Sequence, residues 1–77
     1  MNYPQYRKYK NNKSYFKISS SEMFEEILVS GTKHTLHEFT AKILPDRNFI
    51  SDMLHNYSEN WEAITEAEYN AIKATHV

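Results

Sequence analysis

The chain contains no cysteine, one glycine and two prolines among its 77 residues. Without cysteine there is no disulfide framework and no thiolate metal site. For so small a domain this points away from an oxidising extracellular setting and toward the cytoplasm. Scarce glycine and proline commit little of the chain to turns, so regular elements are expected to dominate over loops. A single glycine leaves no phosphate-cradling glycine loop, and no Gly-x-Ser-x-Gly motif is present. No catalytic residues, cofactor or metal are therefore expected, and the chain does not read as an enzyme. No stretch approaches the roughly 18 apolar residues of a membrane span, and the start, Met1-Asn-Tyr-Pro-Gln-Tyr-Arg-Lys8, has no apolar leader segment. Neither a membrane partner nor secretion by that route is expected.

The length is roughly half that of a usual domain, which leaves room for one small core and no second domain. Leu, Ile, Val and Phe together number sixteen, a share just above the roughly 20% below which strongly charged chains stay disordered. The net charge of −1 removes that second condition for disorder. A folded domain of modest stability is the expectation.

Charge is split along the chain. Residues 1–21 carry Arg7, Lys8, Lys10, Lys13 and Lys17 and no acid, whereas residues 22–77 carry four bases against ten acids. Residues 2–13 also hold no aliphatic side chain, only Tyr3, Tyr6 and Tyr9 for a core to use. Residues 1–13 are accordingly read as a basic, tyrosine-rich flexible arm or an edge segment, and 14–77 as one globular domain.

A short echo marks two element starts, Ile18-Ser-Ser-Ser-Glu22-Met23 and Ile64-Thr-Glu-Ala-Glu68-Tyr69. Each places a hydroxyl residue three before a glutamate, between apolar residues that could form a staple. After Thr65, Tyr69 and Ile72 share a face, and Glu66 and Glu68 suit the positive end of a helix, so a helix over 66–75 is predicted. Phe49, Ile50, Met53 and Leu54 form a helical stripe within 46–55, with Asp46 as its cap. Ser14–Ile18 and Trp61–Ile64 read as strands from their aromatic and β-branched content.

The middle of the chain supports two patterns. As strands, 23–29 and 33–43 flank a Ser30-Gly31-Thr32 turn, and Thr35, His37, Phe39, Ala41 and Ile43 line one face with period two. As helices, Met23, Phe24, Ile27 and Leu28 make one stripe, and Leu36, Phe39, Ile43 and Leu44 another. The threonine and histidine content, poor for helices and comfortable in strands, favours the hairpin. The predicted fold is a small α+β domain: an antiparallel sheet of 14–18, 23–29, 33–43 and 61–64, covered on one face by helices 46–55 and 66–75.

Under the helical alternative, residues Thr35 to Leu54 resemble the helix-turn-helix of phage-repressor-like DNA-binding proteins. Phe39 and Thr40 stand where that family has its Leu-Ala pair, and Ile43, Ile50 and Met53 at its core positions. The resemblance implies an all-α bundle with Arg47 and Asn48 near the start of a recognition helix. Leu44 stands where the family has its turn glycine.

Among groups that could carry chemistry, His34-x-x-His37 is the one close histidine pair, and on a strand its members face opposite ways. His55 and His76 could join it only through the fold. Tyr57 and Trp61 read as core residues, and otherwise as an aromatic anchor for a partner. Tyr6, Arg7, Lys8, Tyr9, Lys10, Lys13, Tyr15 and Lys17 interleave bases with rings, the combination that neutralises phosphates and stacks on bases. These eight are the candidate contacts for a nucleic acid or an acidic protein surface. The favoured function is a small non-enzymatic protein-binding or accessory module, with nucleic-acid binding as the alternative. A sheet that begins at residue 14 leaves an edge strand there, through which a homodimer could form.

Overall fold

The computed structural model describes residues 3–55 and 57–74. The elements run β1 (Gln5–Tyr9), β2 (Ser14–Ile18), β3 (Met23–Ser30), β4 (Lys33–Thr40), α1 (Leu44–His55), β5 (Trp61–Ala63) and α2 (Glu66–Ala74). All strand pairs are antiparallel, in the order β4-β3-β2-β1-β5. The α+β class, the hairpin in the middle of the chain and both helices are as the sequence predicts. The helix-turn-helix alternative is overturned, because Thr35–Thr40 is strand. No helix among the described residues is long and apolar enough to cross a membrane.

The fold departs from expectation first at the N-terminus. Gln5–Tyr9, read as part of a flexible arm or an edge segment, is a strand paired with β2 on one side and β5 on the other. Tyrosine and arginine replace aliphatic residues in its packing, with Tyr6 and Arg7 buried. The β1–β2 turn contains Asn12 at φ 62°, a left-handed conformation that asparagine tolerates better than most residues. The Asn11 side chain accepts from the Lys13 amide at 2.9 Å and braces the turn.

The second departure is layering. The helices do not share a face. On one side Phe16, Ile18, Phe24 and Trp61 pack with Ile50, Met53 and Leu54 of α1. On the other, Tyr6, Tyr15 and Ile27 pack with Tyr69 of α2. A sheet buried on both faces explains why β1 and β2 lack a clean inside-outside alternation.

Element ends also differ in detail. β4 stops at Thr40, three residues early, because the chain must turn into α1, whose second residue is Pro45. Proline's fixed φ and missing donor suit a first helical turn. Asp46 is therefore not the cap but a first-turn acid, favourable to the helix dipole. The Ile18–Met23 echo opens no helix; it is the β2–β3 turn, with the Glu22 amide bonded to Ser20 Oγ at 3.1 Å. Thr65 does cap α2, accepting from the Glu68 amide at 3.1 Å. The predicted last residue of that helix, 75, lies outside the described residues.

Candidate functional site

The eight sequence-predicted contact residues do not form one surface, because strand alternation divides them between the two faces. Tyr6, Lys8, Tyr15 and Lys17 point to the α2 side, Arg7 and Tyr9 to the α1 side. Tyr6 and Tyr15 are buried. The Tyr6 hydroxyl donates to Glu66 at 3.2 Å, and burial first, then this bond, raises its pKa above the ordinary value. Burial likewise raises that of Tyr9, which stacks on Trp61 with ring centres 5.5 Å apart.

Arg7 sits inside the core. Its Nε donates to the Met53 carbonyl at 2.9 Å, its Nη1 to the Tyr6 carbonyl at 2.8 Å, and its guanidinium lies 4.3 Å from the centre of the Tyr57 ring. Burial lowers its pKa, and Tyr57 opposes that shift. Lys8 approaches Glu62 at 3.5 Å and Glu68 at 4.0 Å, and it donates to Asn12. Within the basic segment, Lys8 thus meets acids of its own domain, whereas Arg7 is held by backbone carbonyls and the Tyr57 ring. Lys10 and Lys13 remain exposed in the β1–β2 turn, and Lys17 is half-buried.

Trp61 and Tyr57 belong to the core of the α1 face, as the sequence suggests. Trp61 also lines a cleft of about 470 Å³ with Tyr9, Lys10, Phe49 and Asn60. Its walls are rings, loop amides, one ammonium and the Glu59 carboxylate. His34 and His37 lie on opposite faces, and His34 Nδ1 is 3.4 Å from the Ile72 carbonyl. Among the described residues no three His, Cys, Asp or Glu stand together as a metal site. His76 lies outside the described residues.

The surface most open to a partner is at the far side of the sheet. Ser14–Ile18 is interior, flanked by β1 and β3, so the edge expected at residue 14 does not exist. The two edges are β5, of 3 residues, and β4, of 8. Gly31, at φ 63°, and Thr32 form a two-residue turn between the directly paired Ser30 and Lys33. Such a turn makes its flanking pair the hydrogen-bonded one, and the ladder then alternates, so Thr35, His37 and Phe39 bond to β3. The same parity appears at both ends of β3: the Val29 amide turns away to Lys13, and the Ala41 amide bonds to Glu22. Leu36 and Glu38 therefore direct their backbone N–H and C=O groups outward.

Apolar side chains accompany this edge. Phe39 stacks on Phe24 with ring centres 4.8 Å apart yet is 40% exposed, and Leu28 on the same face is 41% exposed. Ile43 and Leu44, which follow β4, are exposed as well. The α2 face of the hairpin is better sealed: Tyr69 donates to Glu25 at 2.9 Å, and Lys73 reaches the same carboxylate at 3.1 Å. Sequence reasoning missed Leu36 and Glu38 because strand order cannot be read from local pattern. The Gly31 turn fixes their outward parity only once the sheet is known.

Compared with protein-family models, curated proteins and solved structures, the chain matches none.

Proposed function

We propose that the protein is a small non-enzymatic binding module of the cytoplasm, whose partner is a protein segment that adds as a strand to the free side of β4. The observation that carries this reading is the length and openness of that edge. Along this eight-residue strand the alternate residues Leu36 and Glu38 present outward backbone groups beside exposed Phe39 and Leu28. Strand addition draws affinity from main-chain hydrogen bonds and specificity from alternate side chains. Long edges left open invite unwanted pairing, so a regular eight-residue edge suits a contact surface.

The test is a selection of displayed random peptides on the immobilised protein, with Glu38→Pro as counter-target. Proline at 38 removes an outward N–H, which edge strands tolerate, and leaves the β3 ladder in place. Selected peptides are expected to bind the wild type, to lose affinity for Glu38→Pro, and to shift the amide resonances of β4. Peptides that bind both proteins equally, or shift only the Tyr9, Phe49 and Trp61 cleft, would overturn the reading.

A further inference from the structure

The order of side chains along β4 identifies a partner, an inference that rests on strand addition at this edge. We infer that the added strand is β4 of a second copy of this chain, antiparallel about a two-fold axis through Leu36. A two-fold perpendicular to the sheet keeps each face continuous, so residues pair only with residues of like face. Centred on Leu36, it sets Leu36 against Leu36, and both members have outward backbone groups that can bond reciprocally. On the same face His34 comes opposite Glu38 at each end, a polar ring against a carboxylate. On the α1 face Thr35 meets His37, and Lys33 comes beside the half-exposed ring of Phe39, where an ammonium and an aromatic face attract.

Neighbouring registers are poorer. Centring on His37 sets Leu36 against Glu38. Centring on Glu38 opposes two carboxylates, and centring on Thr35 sets Lys33 against His37. Opposite charges across a strand pair stabilise it and like charges destabilise it, so the sequence of β4 is self-complementary in one register. The pairing forms one sheet through both copies, with each α1 on one side and each α2 on the other. The long edge is closed, and the short β5 is left at the ends.

Sedimentation velocity from micromolar to millimolar concentration is the direct test. The wild type is expected to pass from monomer to dimer, and Glu38→Pro to stay monomeric. Leu36→Lys and Leu36→Glu each place like charges on the axis and should stay monomeric alone. An equimolar mixture should recover a mixed dimer roughly tenfold tighter than either variant by itself, since only that pair is complementary. Both side chains keep an aliphatic stem to lie on the α2 face, and circular dichroism checks that each variant is folded. A Leu36→Lys variant that dimerises more tightly than wild type would indicate the register centred on His37. A wild type monomeric at millimolar concentration would overturn self-pairing outright. The strand-addition reading falls separately, if peptide selection yields no ligand on β4.

Discussion

Arg7 and Met53, 46 residues apart in sequence, are joined by a 2.9 Å bond from the guanidinium Nε to the Met53 carbonyl. That carbonyl lies in the last turn of α1, where peptide oxygens lack intrahelical partners and the dipole favours a cation. One buried side chain on β1 thus ties the first strand to the end of the helix that covers its face. Arg7→Ala should cost about 2 to 3 kcal/mol, because it removes bonds from a charged donor and the packing on Tyr57. Arg7→Lys should recover only part of this, since a single ammonium cannot reproduce the fork. Urea midpoints for the three proteins provide the measurement, and an Arg7→Ala midpoint equal to wild type would contradict it.

Tyr69 predicts how stability varies with pH. Its side chain is fully buried. Burial first, then the bond to Glu25, raises its pKa above the ordinary 10.0, as burial first and then Glu66 do for Tyr6. A phenol with a raised folded pKa contributes fully below its unfolded value and less as pH rises beyond it, because the unfolded chain releases the proton first. Stability should therefore fall from about pH 10 upward. Tyr69→Phe should lose about 1.5 kcal/mol at neutral pH, where Glu25 loses a donor, and should show a shallower fall above pH 10. Thermal melts across that range would contradict this if the two slopes coincide.

The cap of α2 gives a local prediction. Thr65→Ala removes the acceptor of the Glu68 amide and should cost about 1 kcal/mol. The Glu68 carboxylate approaches Lys8, so Glu68→Gln should matter less than the threonine change: an exposed ion pair contributes under about 1 kcal/mol. Denaturant midpoints in the reverse order would contradict this assignment.

What the sequence made legible follows from which signals are local. Gly31 between period-two segments, Thr65 with its acids, and the Phe49, Ile50, Met53, Leu54 stripe all act within a few residues, and all three elements form where predicted. The β1 segment was not legible because its buried residues are Tyr6 and Arg7, which carry none of the aliphatic pattern of a strand. Apart from the neighbouring Tyr6 carbonyl, the described partners of Arg7 are Met53 and Tyr57, far along the chain. The placement of the helices on opposite faces was hidden for a related reason. Once β1 enters the sheet, residues on both faces need cover, and no local pattern reports that. For the candidate site, the interleaved bases and rings were visible, but strand alternation scatters them. The outward parity of Leu36 and Glu38 depends on β4 being last in the sheet.

Strand addition at β4 is tested most directly by residue-resolved amide hydrogen exchange of the wild type, at low concentration and at high concentration or with a selected peptide. In the bound form, exchange at Leu36 and Glu38 should slow, because their outward N–H groups gain acceptors. Thr35, His37 and Phe39 should keep their rates, since these amides already bond to β3. Protection spread evenly over both sets, or confined to the Lys10–Lys13 turn, would contradict strand addition at β4.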